Sequence, residues 1–407
     1  MKITTKPQII KLSGTVQHYD WGGTTYIPTL IGAENPDDQP FAELWMGDHP
    51  GAPAKAILPE GVIPLHHLFE AAPAWLGKNL IAQFGHRLPY LFKVLDVRSM
   101  LSIQVHPNKA AAVAGFREEN EAGVPLNSST RNFKDDNHKP EIMVALTDFW
   151  LLHGFREAAT TNTILHETPE LLFLIPIWES EGIAAAYRYV MEMPQAEVDS
   201  RLAPLHKRLA SAPPQEKHHP DFWAWRAMIS FQPASGLYDR GIFSIYLFNL
   251  VYLQAGEAIF QGAGIPHAYL EGVNVELMAN SDNVFRGGLT NKHIDVALLL
   301  KHINFEPVIP NILNGVKRSD VETVFPTPAP DFELSSITLG TQQAHTAVSA
   351  CGPHIFIVLD GAVVVNEELP FRRGDCFLIP EGQHYRISAQ ESGKLYMAGI
   401  NSGQSQP

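Results

Sequence analysis

The sequence predicts a mainly β protein in which two related β-barrels are combined with an α-helical insertion. Three observations carry that expectation. Residues 1–152 and roughly 240–318 consist of short apolar runs broken by Gly, Pro and Asn, among them "LPYLFKVLDV", "LSIQVHP", "PEIMVAL" and "FSIYLFNLVYL", the texture of a sandwich or barrel. Between them the spacing turns helical. A quiet repeat then links the middle of the chain to its C-terminal part. The expected units are a discontinuous N-terminal barrel domain (1–153 and 240–318), a helical insertion (154–239) and a C-terminal barrel (319–407).

The insertion is read from "QAEVDSRLAPLHKRLA", which places Val198, Leu202, Leu205 and Leu209 on one helical stripe. Pro204 inside it is expected to kink or shorten that helix. "SAPPQEKHHP" follows as an exposed connector. The repeat aligns "AGEAIFQGAGIPH" (255–267) with "RGDCFLIPEGQH" (373–384), matching Gly256 to Gly374, Gly262 to Pro380 and Gly264 to Gly382 at one constant offset of 118 residues. Turn glycines at such offsets serve tight connections between short strands. The histidines, His267 and His384, fall one residue out of register.

Composition limits the functional classes. A chain of 407 residues with 45% hydrophobic and 18% charged residues can build more than one packed core. A net charge of −13 with no basic block argues against nucleic acid. Any site for an anionic substrate must therefore gather its few cations locally. Cys351 and Cys376 are the only cysteines, which leaves neither a disulfide framework nor a thiolate metal site. The first residues lack a signal-peptide core, and "IFSIYLFNLVYL" is too short to span a bilayer. A cytoplasmic protein without membrane partners is expected.

The chemistry starts at "LSIQVHP" (101–107). In a strand, Leu101, Ile103 and Val105 share one face, and Ser102, Gln104 and His106 share the other. "NHKPEIMVAL" opens a strand at Pro140 and puts Glu141 at its first exposed position, with Lys139 on the same face. "GIPHAYLEG" sets His267 just after a Gly/Pro turn. Two histidines and a carboxylate are a common donor set for a first-row divalent metal, and Gln104 would add a neutral oxygen. Taken singly, each is a weak signal: a lone histidine is more often a hydrogen-bonded structural residue, and a glutamate opening a strand is usually solvated. In "NVELMANSDNVFRGGLTNKHID" (274–295), Asn280 to Asn283 precede Arg286 and the pair Gly287–Gly288. A glycine pair permits close backbone approach, and an arginine beside it suits an anionic group.

"LFKVLDVRSMLSIQVHPNK", "HKPEIMVAL", "GIPHAYLEG", "ELMANSDNVFRGGLTNKHID" and the early "AELWMGDHP" together closely resemble the type I mannose-6-phosphate isomerases, a cupin family. The resemblance runs from the N-terminus through residue 300 and thins in the helical insertion and the C-terminal barrel. It implies jelly-roll barrels, of which the first is catalytic. Gln104, His106, Glu141 and His267 match the four ligands of one Zn²⁺ per chain, and Arg286 matches the active-site arginine. Lys93, Ser102, Lys139 and Lys292 fall on positions around the sugar phosphate. Where many cupins carry His-x-His, this chain has Gln104–Val105–His106, as the family does, and Gly262 stands where Pro is common. In the second barrel only His384 remains of a ligand set, so no second metal site is expected.

The implied reaction interconverts mannose 6-phosphate and fructose 6-phosphate in a monomer. It needs a base to move a proton between C2 and C1, with Lys139, a metal-bound water and Glu276 as the candidates. A metal-dependent oxygenase, another sugar isomerase on the same barrel and a non-catalytic sugar-binding cupin are the competing readings.

Overall fold

The described residues, 6–231 and 236–401 of this computed structural model, form two antiparallel sheets with helices inserted between their strands. At the centre of a ten-stranded sheet lies the long strand His267–Ala279. It pairs with Tyr90–Val97 along one edge and with Glu141–Ala145 and Phe149–Phe155 along the other. Gly272 makes this sharing possible. Its φ of +128° and the 2.6 Å that would separate an added Cβ from the Asp148 carbonyl admit no side chain there, and the register shifts between Tyr269 and Glu271.

The second sheet has eleven strands, led by His354–Val365 and His384–Gly399. Ile10–Ser13 also belongs to it, paired with Cys376–Ile379 on one side and Lys55–Leu58 on the other. The N-terminal strand thus completes the C-terminal sheet, although sequence order assigns it to the first unit. No short-range pattern reveals so distant a partner. The sheets share a core in which Phe92, Val94, Val275 and Leu277 meet Leu334, Ile355, Leu378 and Ala398, all fully buried.

The helical insertion comprises Ala158–Glu167, Ile175–Glu192, Gln195–Ser211 and Pro220–Ser230. Val198, Leu202, Leu205 and Leu209 are all buried as their spacing predicts, each side chain contributing about 1.5–3 kcal/mol by leaving water. Pro204 does not shorten this helix. It lies on the exposed side within a continuous Gln195–Ser211, where its ring meets solvent rather than core. The break falls in the preceding helix, at Gly182 (φ 80°, ψ −172°). "SAPPQEKHHP" is an exposed connector.

Two strand expectations are revised. "FSIYLFNLVYL" splits into the helix Gly241–Leu247 and the strand Phe248–Leu253; the helix is buried on every side, so its apolar run carries no period to read. "LSIQVHP" is regular only at Gln104–Val105. Around it, Leu101 N–H bonds to the Tyr269 carbonyl and Ile103 exchanges backbone bonds with Gly287 and Gly288, so the segment threads between neighbours instead of lying in one ladder. Among the described residues no helix is long and apolar enough to cross a membrane.

Candidate metal centre

Three local devices aim one site. Gln104–Val105 pairs with both His267 and Arg286 through Gln104. His106 follows directly, and Pro107 ends the extended run. Asn108 then caps the helix Lys109–Glu121, its side chain accepting from Ala111 N–H at 2.9 Å. Glu141 begins its strand opposite Gln261 and Met278. His267 begins the long strand after the turn at Gly264, whose φ is +79°.

The ligand atoms of His106, Glu141 and His267 all lie within 4.8 Å of one another, and all three residues are buried. His106 Nε2 is 3.4 Å from Glu141 Oε1, and His267 Nε2 is 3.3 Å from Glu141 Oε2. Each imidazole is turned by its other nitrogen. His106 Nδ1 lies 2.8 Å from the Asn283 carbonyl and His267 Nδ1 lies 3.0 Å from the Ile265 carbonyl. A carbonyl oxygen only accepts, so each proton sits on Nδ1 and each Nε2 presents a lone pair. Burial pushes the His106 pKa down to about 4, against the pull of Glu141, so this imidazole is neutral at pH 7. Burial alone would raise the Glu141 carboxyl, but the Lys139 ammonium beside it opposes that, and the group is held well below its usual range.

Three acceptors therefore converge with no hydrogen between them, and His106 Nε2 has no hydrogen-bond partner among the described residues. Buried lone pairs left facing one another are costly, and a divalent cation satisfies all three at once. The residues present fit a metal such as zinc, with Gln104 at hand for a fourth, oxygen position.

Charge around this point is dense and almost wholly buried. Lys139 Nζ lies 3.2 Å from Glu141 Oε1. Lys93 Nζ is 3.1 Å from Glu276 Oε1, 3.7 Å from Glu43 Oε2 and 5.0 Å above the Trp45 ring. Desolvation lowers the Lys93 pKa, but Glu43 and Glu276 outweigh it and the ammonium is held charged. The Tyr269 hydroxyl donates to Glu276 Oε2 at 2.9 Å. Two lysines thus face three carboxylates, a balance that a divalent cation turns positive.

A model of the type I phosphomannose isomerase catalytic domain matches residues 9–158. The mannose-6-phosphate isomerase of Salmonella typhimurium is 37% identical over 95% of this chain and 98% of its own length. The chain belongs to the mannose-6-phosphate isomerase family. Mannose-6-phosphate isomerase 1 of Arabidopsis thaliana is 31% identical over 96% of this chain and 94% of its own. A zinc-bound crystal structure of a mannose 6-phosphate isomerase superposes with a TM-score of 0.84 at 34% identity, covering 97% of this chain and 99% of that one. Family membership makes the chain an isomerase, and its His–Glu–His cluster can hold a metal.

Other residues that the family resemblance points to lie at varying depth. Arg286 is half-buried on the two-residue strand Phe285–Arg286, directly across from Gln104. Gly288 lets this strand end turn against the start of the helix Gly241–Leu247: its φ is +126°, and an added Cβ would come within 2.4 Å of Gly241 Cα. Ser102 is half-buried on the irregular stretch before Gln104. Lys292 is exposed and lines a depression of about 360 Å³ with Thr290 and Arg240. Burial and then the Arg286 charge lower the Lys292 pKa. Lys93 and Lys139 lie deeper, beside the carboxylates.

The sequence reading missed the residues that hold this arrangement. Asn283 is fully buried and serves the 134–137 loop through both ends of its amide. Its Nδ2 donates to the Asp135 and Asn137 carbonyls, each at 2.8 Å, and its Oδ1 accepts from Lys134 N–H at 2.7 Å. His49 reaches Asp282 at 3.2 Å. The polar run 280–283 was the available signal. Its partners are about 150 or more residues away in sequence, and no spacing rule reaches that far.

Proposed function

We propose that this chain is a zinc-dependent aldose–ketose isomerase that interconverts D-mannose 6-phosphate and D-fructose 6-phosphate by proton transfer through an enediol(ate). The observation that carries the reading is the convergence of three lone-pair donors from His106, Glu141 and His267 at one buried point, in a chain whose relatives bear the isomerase name. Gln104, His106, Glu141 and His267 hold one zinc, which when bound supplies a Lewis acid for a substrate oxygen.

Arg286, always charged and planar, meets the negative charge that develops at O1 or O2. Lys93, Ser102 and Lys292 bind the phosphate and fix the sugar against it, concentrating positive charge in an acidic protein. Glu276 has both carboxylate oxygens engaged, by Lys93 and Tyr269, whereas Lys139 has Glu141 as its one partner among the described residues. We therefore give the proton transfer between C1 and C2 to Lys139, acting as a neutral amine that takes the proton from one carbon and returns it to the other once Glu141 is engaged by a bound cation, and the holding of Lys93 to Glu276. The catalytic unit is a cupin jelly-roll formed by 1–153 and 240–318 apart from Ile10–Ser13, Lys55–Leu58 and Gly61–Pro64, which complete the cupin-like unit at 319–407, with the helical insertion 154–239 against it. The enzyme acts in the cytoplasm as a monomer, without nucleic acid or membrane partners.

The direct test is dialysis against a chelator followed by a coupled assay for fructose 6-phosphate. Activity should vanish with the metal and return with one zinc per chain. Full turnover in metal-free protein would overturn the assignment.

A further inference from the structure

The repeat reaches further than its glycines. The strands Ala258–Gln261 and Cys376–Ile379 begin and end 118 residues apart, and the same offset carries His267 to Tyr385 rather than to His384. Strand pairing extends the correspondence. Gln261 pairs with Glu141, and its counterpart Ile379 pairs with His354. His267 pairs with Gln104, and its counterpart Tyr385 pairs with Ala347. Three of the four metal-ligand positions thus recur in the C-terminal sheet as Tyr385, His354 and Ala347. His384 is exposed and outside this set.

These three residues line a common cavity of about 940 Å³. Its polar wall is built, not incidental. Glu322, buried, accepts from Ser335 Oγ at 2.9 Å and pairs with Arg318 Nη1 at 3.1 Å. Arg318 Nη2 reaches Glu333 at 2.7 Å. The Tyr385 hydroxyl and His354 Nδ1 satisfy each other at 2.8 Å. His345 is only 4% exposed and turns Nδ1 toward Glu322 Oε2 at 3.8 Å, while its Nε2 has no partner among the described residues.

That wall asks for a particular ligand. Among the described residues of the wall the carboxylates of Glu322 and Glu333 face the guanidinium of Arg318, and burial lowers the pKa of both His345 and His354, the latter to about 3, so both imidazoles are neutral. With the proton of His345 on the nitrogen facing Glu322, its Nε2 offers a lone pair. The polar end therefore accepts hydrogen bonds and favours positive charge, and Val321, Val324 and Met397 supply an apolar flank. A metal is the wrong occupant: among the described residues only His106, Glu141 and His267 converge closely enough to hold one.

We propose that this C-terminal counterpart of the metal site is a second ligand site, which binds a small primary amine as its ammonium, with the ammonium against Glu322 and His345 and an apolar arm along Val321, Val324 and Met397. It is separate from the isomerase site and takes the opposite charge from a sugar phosphate.

The test uses the full-length zinc-loaded protein with methyl-labelled methionine, hexylammonium chloride as probe, and 1-hexanol and hexanoate as its neutral and anionic counterparts. Hexylammonium should shift the Met397 methyl resonance saturably below about 10 mM, and saturating mannose 6-phosphate should not displace it. Hexanol should bind about ten-fold more weakly and hexanoate not at all, because only the cation is matched by the carboxylates. Glu322→Gln should weaken hexylammonium binding about ten-fold. Ala347→Phe, which fills the cavity from its wall, should abolish binding at unchanged isomerase turnover. Equal binding of hexanoate, displacement by mannose 6-phosphate, or no saturable shift of Met397 in the unmodified protein would overturn the proposal, and none of these three comparisons needs a variant to fold.

Discussion

His106 donates from Nδ1 to the backbone carbonyl of Asn283 over 2.8 Å, and that single bond decides which nitrogen the ring offers to the metal point. The carbonyl is placed in turn by the Asn283 amide, which bonds the 134–137 loop through both of its ends. A loop far away in sequence therefore sets the tautomer and the aim of a ligand, the kind of support that tunes metal sites from behind.

Asn283→Ala should accordingly weaken zinc binding by about 10–100-fold with all ligands intact. It should also cost about 1–3 kcal/mol of stability, because buried loop groups lose their partners. Competition against a chromogenic chelator and urea unfolding measure the two effects separately. Unchanged zinc affinity in a destabilised protein would reduce Asn283 to a structural role.

Arg286→Ala should lower kcat by roughly 10²–10³-fold, the usual cost of losing one preorganised donor to a developing oxyanion. KM should move less and zinc content should stay at one per chain. Arg286→Lys should recover only part of the rate, since a point charge does not reproduce planar two-pronged contact. A large rise in KM at constant kcat would instead place Arg286 with Lys292 in holding the phosphate.

Gln104, His106, Glu141 and His267 could be picked out as a donor set from strand alternation and from the Pro and Gly/Pro signals before Glu141 and His267, but it was the family resemblance that joined them; the structure keeps only Gln104–Val105 as strand and still brings His106, Glu141 and His267 together. What lay outside local reach was missed. Ile10–Ser13 finds its partner in Cys376–Ile379, and nothing within four residues announces it. The Gly241–Leu247 helix is buried all round, so its apolar run could be read as a strand. In the repeat, the 118-residue offset was legible and left His384 one residue out of register; only the strand pairing shows that Tyr385 takes the place of His267. Offset is a property of the backbone, and side-chain identity is what divergence of two copies changes first.

Acid should destabilise the protein well above the carboxylate range. Burial holds His153 at about 4 and His354 at about 3, whereas in the unfolded chain both titrate near 6.5. Their contribution is complete above that unfolded value and is lost as pH falls toward the folded values, because the unfolded state binds the extra protons in between. Asp48 works in the opposite sense: burial, outweighing its bond from Leu88 N–H at 2.8 Å, raises it to about 6, so the native state gains a proton as pH falls through 6. Six histidines pushed down by burial (His66, His106, His153, His302, His345 and His354) against three carboxyls pushed up (Asp48, Asp96 and Glu276) leave a net loss between about pH 6.5 and 4. The urea midpoint should drop over that window, His153→Gln should flatten the decline and Asp48→Asn should steepen it. A midpoint that rises on acidification would refute the assignment.

Lys139 and Glu276 divide the remaining chemistry, and their partners say how. Glu276 is pushed up by burial and by Glu141 and Glu43, against the pull of Lys93, but its two oxygens are already spoken for by Lys93 and Tyr269. Glu276→Gln keeps an oxygen for Lys93 and loses its charge, so Lys93 is held less firmly against the phosphate. KM should rise while kcat stays within a few-fold. Lys139→Ala removes the proposed proton carrier, which should lower kcat by about 10²–10⁴-fold. The ionisation belonging to that group should also disappear from the pH profile of kcat/KM, with zinc still bound. Since Lys139 lies 3.2 Å from the ligand Glu141, elemental analysis must accompany the assay to separate lost chemistry from lost metal. If the missing ionisation and the collapsed rate belong to Glu276→Gln, and Lys139→Ala changes only KM, the two residues exchange roles and Glu276 is the base.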